Sequence, residues 1–188
     1  FGSLTRTIEG GGAELTASSV LVLGPQTMAQ SVTFGTEAFD FRSSTVELTQ
    51  PGTRITGNVE RVGGSIRGEL DLGAGPEPVD LAVPDDILVS DMLEVAIWIA
   101  DLEEGAEIRL PVANVSSGSV ATATIRVTGR EEVTVPAGTF EAFRIEITGP
   151  EAQTIWARVE GPHVPLLVAP ADQPIVLELT ELPGPGGR

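Results

Sequence analysis

The residues that could do chemistry are few. The chain contains one histidine, His163, which lies between Pro162 and Val164 in a loop-like run. A serine nucleophile needs a positioned base, and this imidazole has neither a nucleophile elbow nor a recognisable acid partner nearby in the sequence. Cysteine is absent, which excludes thiol nucleophiles and thiolate metal sites. We therefore expect the protein not to be an enzyme.

Carboxylates are the other candidate groups, since 27 residues are acidic. Asp85-Asp86 and Glu103-Glu104 are better explained as helix-capping residues and a solvated turn, with a weak calcium site as the alternative. A hydrolase that uses paired carboxylates stays open, although tyrosine is absent and aromatic residues are only 4% of the chain. No lysine is present for a phosphate-binding loop. We predict no metal and no cofactor.

The net charge of the chain limits the classes of partner that it can bind. The formal net charge of −16 would be repelled by nucleic acid and by an anionic membrane surface. No window approaches the 18 or so apolar residues that a spanning helix needs. We predict no nucleic-acid binding and no transmembrane segment.

Alternating apolar and polar residues recur through most of the sequence, as in Thr45–Thr49 and Thr124–Thr128, which is typical of half-buried strands. Gly63-Gly64 and Pro136-Ala137-Gly138 lie between such runs and predict tight hairpins. The predicted strands are Leu4–Glu9, Glu14–Leu23, Gln30–Phe34, Phe39–Thr49, Thr53–Val62, Ser65–Leu72, Glu77–Val83, Glu107–Val115, Val120–Val135, Thr139–Thr148, Gln153–Glu160 and Ile175–Leu182. So many consecutive strands predict a mainly β, antiparallel curved sheet that forms a half-barrel or barrel-like domain.

One segment breaks this pattern. Pro84-Asp85-Asp86 offers an N-cap, and Leu88, Met92, Val95 and Ile99 then recur at helical spacing. We predict a single covering α-helix over about residues 86–100. Its apolar side chains would plug the concave side of the sheet, form a lid over a hydrophobic cavity, or dock a partner. The residues concerned are Ile87, Leu88, Met92, Val95 and Trp98.

Trp156 is the second tryptophan that could mark a ligand wall or an interface. It alternates with Ile155 and Ala157, so its side chain is predicted on the sheet face opposite to theirs. An exposed position would make it an interface anchor, whereas a buried one would make it part of the interior.

The run Val133–Ile147 resembles the signature of a family of uncharacterised bacterial periplasmic β-rich domains, in which a Val-Pro-Ala-Gly-Thr-Phe turn precedes an alternating strand. Thr154–Arg158 and Pro162-His163 are similar to the next strand of that family and to its usual end. The resemblance covers about 50 residues. It implies an open half-barrel around a helix, similar in outline to lipoprotein-carrier domains, and no enzymatic residues.

We therefore expect a single exported domain over residues 1–188, periplasmic or extracellular, with a flexible tail at 183–188. Its expected function is that of a structural or accessory subunit of a larger assembly, a membrane complex or a filament, with other protein subunits as partners. The alternative is a carrier or binding domain for a lipid or another hydrophobic ligand.

Overall fold

The chain folds into two open, mainly antiparallel sheets. A computed structural model describes residues 2–37 and 39–182. Strands make up 65% of the structure, and one short α-helix accompanies them. The predicted mainly β class is confirmed, and within the described residues neither sheet closes on itself.

The first sheet is a simple meander. Each strand pairs antiparallel with the next one along the chain, and the register is continuous except for an irregularity between Thr33 and Phe34. Its strands, in spatial order, are β1 (Gly2–Gly11), β2 (Glu14–Leu23), β3 (Gln26–Gly35), β4 (Phe41–Gln50), β5 (Thr53–Val62), β6 (Ser65–Asp71) and β7 (Pro76–Ala82).

The second sheet has the order β14-β13-β12-β11-β10-β9-β8. Its two longest strands are joined by the predicted turn at Pro136-Ala137, and Val135 pairs with Gly138 across this turn. Gly138 has a φ of 138°, which favours glycine at this position. Its strands are β8 (Leu88–Val89), β9 (Glu107–Asn114), β10 (Ser119–Val135), β11 (Gly138–Thr148), β12 (Gln153–Arg158), β13 (Pro165–Pro170) and β14 (Leu177–Glu178).

The α-helix of the described part of the chain, α1, spans Leu93–Ile99 and follows a 3-10 turn at Ser90–Met92. The prediction of a helix over 86–100 was wrong at its start, because Leu88-Val89 forms a strand of the second sheet instead. Leu93, Val95 and Ile97 are buried, but Ile99 is 52% exposed, so the predicted apolar stripe ending at Ile99 was also wrong. No helix among the described residues is long and apolar enough to cross a membrane.

Asp85 and Asp86 do not cap this helix. Its N-cap is Met92, which makes no side-chain capping bond. Asp85 instead accepts a hydrogen bond at Oδ1 from Arg61 Nη2 at 3.1 Å. The loop that follows β7 is therefore held by an arginine of β5.

The described residues form two compact units. Among the described residues, one unit contains 2–89 and 113–120, and the other contains 90–112 and 121–182. The predicted flexible tail at 183–188 lies outside the described residues.

The two faces of the first sheet differ as its alternation predicts. One face carries the core of its unit, where Phe34, Phe41 and Ile66 are completely buried. Along each strand, the residues that alternate with those of this face point to the other face. That second face is largely exposed and rich in serine and threonine. We call these the apolar face and the hydroxyl face of the first sheet.

Candidate hydrophobic ligand surface

The structure places the predicted ligand or interface residues in two environments. Ile87, Leu88, Met92 and Val95 are buried and at most 7% exposed. Side chains this deeply buried cannot touch a ligand unless the surrounding structure opens. Trp98 is only half-buried, as is Trp156, the other tryptophan of the prediction.

Trp156 lies on the predicted face of its strand, opposite to the buried Ile155 and Ala157. Its ring packs against a small apolar cluster of the second unit, and its indole N–H donates a hydrogen bond to Glu131 Oε1. The ring and the N–H of Trp156 therefore both already have contacts within the protein. The buried members of that cluster are Val135, Ala142 and Leu166.

His163 has a structural position. Its Nδ1 lies 2.9 Å from the carbonyl oxygen of Arg158, which requires Nδ1 to carry the proton because a carbonyl only accepts. The imidazole also meets the ring of Phe143 edge-on, with centroids 5.5 Å apart. Among the described residues, no group of three or more histidine or acidic side chains could hold a metal ion.

The most distinctive surface lies at one end of the apolar face of the first sheet. Five large apolar side chains form one transverse row there, since each residue is the register partner of the next across β1 to β5. We call this set the apolar row, and in spatial order it consists of Leu4, Leu21, Met28, Leu48 and Ile55.

All five side chains of the apolar row are half-buried rather than buried. Neighbouring strands are about 4.8 Å apart, so the four intervals of the row span about 19 Å. That length suits an extended hydrocarbon chain lying across the strands. Because it is half-buried, each of these side chains keeps part of its apolar surface accessible at this end of the sheet.

A second row, of mixed polarity, lies on the same face, two residues further along each strand. It holds Val46 and Leu70 on either side of Gly57, and the polar side chains Ser19 and Gln30. A Cβ at Gly57 would lie 2.9 Å from Val46 Cγ1 and 3.0 Å from Leu70 Cδ1. The absence of a side chain at Gly57 therefore lets two apolar groups close over it and widens the apolar surface beside β5. The polar pair on β2 and β3 offers hydroxyl and amide groups next to the same surface.

The hydroxyl face offers a different environment. It carries a shallow depression of ≈ 470 Å³ whose lining includes Ser18, Ser31 and Thr45. The hydroxyls of Ser18 and Ser31 bond each other at 3.2 Å, and Glu47 at its side pairs with Arg54 at 3.1 Å. These polar groups already have partners, as on a solvated sheet face.

The apolar row was not predicted, because the sequence of a single strand does not reveal which residues meet across a sheet. The signal was present in each strand, as in the apolar positions of Val46-Glu47-Leu48. Register is what aligns them, and it depends on the lengths of four successive hairpin turns.

Comparison with known proteins identifies the family of the chain. Residues 27–180 match the model of a family described as a protein of unknown function (DUF3108), which covers most of the chain from β3 onward. No curated protein and no solved structure matches the chain.

Proposed function

The chain belongs to the DUF3108 family, a family of proteins of unknown function, and we propose that it binds an amphiphilic ligand through the apolar row of its first sheet. The hydrocarbon chain of the ligand lies across β1 to β5, in contact with the apolar row. Its polar end lies toward Ser19 and Gln30 in the neighbouring row. The observation that carries this proposal is the register alignment of five half-buried apolar side chains.

The energetics favour this assignment over a solvated surface. Covering apolar area contributes about 25 cal/mol per Å², so completing the burial of several leucine-sized side chains supplies a few kcal/mol. A flexible chain that lies along a preformed row needs no rearrangement of the sheet. The resemblance of Val133–Ile147 to a family of periplasmic β-rich domains, which implies an outline similar to lipoprotein-carrier domains, also favours a hydrophobic ligand and an extracytoplasmic location.

The test is a fluorescence titration with cis-parinaric acid, a fatty acid that becomes fluorescent in apolar surroundings. Met28 lies at the centre of the apolar row, so Met28→Lys should weaken binding about tenfold or more, equivalent to about 1.4 kcal/mol. The matched control is Thr27→Lys, which places the same charge on the same strand but on the exposed hydroxyl face. It should bind as the unmodified protein does.

Two results would contradict the proposal. One is failure of the unmodified protein to bind the fatty acid, and the other is equal binding by the two lysine variants. Circular dichroism and thermal melting of both variants separate lost binding from lost folding. Leu48→Lys, with Thr49→Lys as its control, provides a second and independent pair on β4.

A second candidate function is that of an accessory subunit in a larger extracytoplasmic assembly. The observation that favours it is the exposed edge strand β1, which pairs only with β2 among the described residues. Native mass spectrometry of material isolated gently from its source should then show a complex with other proteins. A monomer that carries a lipid-sized adduct would favour ligand binding instead.

A further inference from the structure

The two edges of the first sheet are built differently. β7 carries Pro76 and Pro78, and proline has no N–H to donate to an added strand. β1 is a ten-residue edge strand without proline and with exposed residues along its length, and it has one neighbour among the described residues. A partner strand can therefore extend the sheet at β1 but is disfavoured at β7.

The hairpin geometry shows which backbone groups of β1 point outward. Gly11 pairs with Glu14 around a two-residue loop, so this closing pair exchanges hydrogen bonds and the pattern alternates from there. Thr7 and Glu9 turn their backbone groups toward β2. The N–H and C=O groups of Leu4 and Ile8 consequently face the open side.

We propose that this edge pairs with β1 of a second copy of the chain, so that two first sheets join into one continuous sheet. A two-fold axis perpendicular to the sheet makes the two β1 strands antiparallel and keeps both apolar faces on the same side. Residues opposite each other must then both belong to the apolar face or both to the hydroxyl face. This inference goes beyond ligand binding and does not depend on it.

Only two such registers pair nine residues of β1, and their charges distinguish them. In one of them Arg6 lies directly opposite Arg6 of the other copy, and like charges in that position are destabilising. In the other, Thr7 lies opposite Thr7, Thr5 opposite Glu9 and Leu4 opposite Gly10. No like charges face each other in this second register, and we assign it to the dimer.

The net charge sets the conditions under which the dimer forms. Each copy carries a formal charge of −16, so two copies repel each other over distances beyond the contact itself. Added salt screens this repulsion, and the screening length falls to about 8 Å at physiological ionic strength. Association should consequently strengthen as salt concentration rises, the opposite of an interface held by ion pairs.

The chain contains no cysteine, so one introduced cysteine tests the register directly. In the assigned register two Thr7 residues form a pair without mutual hydrogen bonds, with Cα atoms about 4.5 Å apart, within the range for a disulfide. Thr7→Cys should give a covalent dimer under mild oxidation. Thr5→Cys is the matched control, because its two copies lie four residues apart along the strand, about 14 Å.

Sedimentation velocity of the unmodified protein at increasing salt completes the experiment. A concentration-dependent dimer together with cross-linking of Thr7→Cys alone supports the proposal. A monomer at all concentrations and salt levels, or equal cross-linking of both variants, overturns it. Cross-linking of Thr5→Cys alone also overturns the assigned register. Circular dichroism checks that both variants fold.

Discussion

The indole N–H of Trp156 on β12 donates a hydrogen bond to Glu131 Oε1 on β10, across the intervening strand β11. Arg144 of β11 is the register partner of Trp156, and Ala142 is the register partner of Glu131. The bond therefore runs diagonally over a position where a small alanine leaves room. It fixes the orientation of the half-buried tryptophan against the small apolar cluster of Val135, Ala142 and Leu166.

Removing this acceptor should lower stability. Glu131→Ala leaves the indole N–H without its protein partner, and we expect the free energy of unfolding to fall by about 1 kcal/mol. Urea denaturation followed by tryptophan fluorescence measures the change. Glu132→Ala is the control, because its side chain points to the opposite face and lies opposite Glu141, so its removal should not lower the free energy of unfolding. A loss of the same size in both variants would show that the bond contributes nothing specific.

Relieving a like-charge pair should raise stability. Glu132 and Glu141 are direct register partners on β10 and β11, and both are exposed. Glu141→Thr should therefore add about 0.5 kcal/mol to the free energy of unfolding. Most of that gain should disappear in about 1 M sodium chloride, where the screening length is about 3 Å. Glu9→Thr, opposite Thr16, controls for strand propensity, and an equal gain there would refute the repulsion.

A side chain at Gly68 should be strongly destabilising. Gly68 has a φ of +153°, and a Cβ there would lie 2.0 Å from the carbonyl oxygen of Asn58. Because backbone atoms must move, we expect Gly68→Ala to lower the free energy of unfolding by at least about 2 kcal/mol. Thermal and chemical denaturation test this. Gly64→Ala, where no atom lies within 4 Å, should be nearly neutral.

Arg61 should not be replaceable by lysine. Its guanidinium donates to the carbonyl oxygens of Gly63, Pro84 and Asp85 at 3.1 to 3.3 Å, and only 13% of the side chain is exposed. An ammonium group cannot reproduce this fork, so Arg61→Lys should cost about 1–2 kcal/mol. Hydrogen exchange of the amides in residues 85–88 should accelerate as well.

The control for that prediction is Arg54→Lys. Arg54 pairs with Glu47, but its side chain is 66% exposed, and such a surface pair contributes little. Unchanged exchange in residues 85–88 of the Arg61 variant would mean that the arginine does not hold this loop.

Most strands were predictable because alternation with period two is a local property of the chain. The strand predictions failed where contacts with distant segments, or proline residues, outweigh the local sequence pattern. Leu88-Val89 has helical spacing with Met92 but forms strand β8, and β13 was missed because it begins and ends with proline. Proline is tolerated at such strand ends, although it lowers the strand signal in the sequence.

The sequence by itself determined the class of the fold, the hairpins at Gly63-Gly64 and Pro136-Ala137, and which residues share a sheet face. Only the tertiary structure decided which part of that face is covered. Met28 and Phe34 lie on the same face of the same strand, yet Met28 is half-buried and Phe34 is completely buried. Alternation belongs to a single strand, whereas register and burial depend on segments distant in the sequence, so the apolar row could be found only in three dimensions.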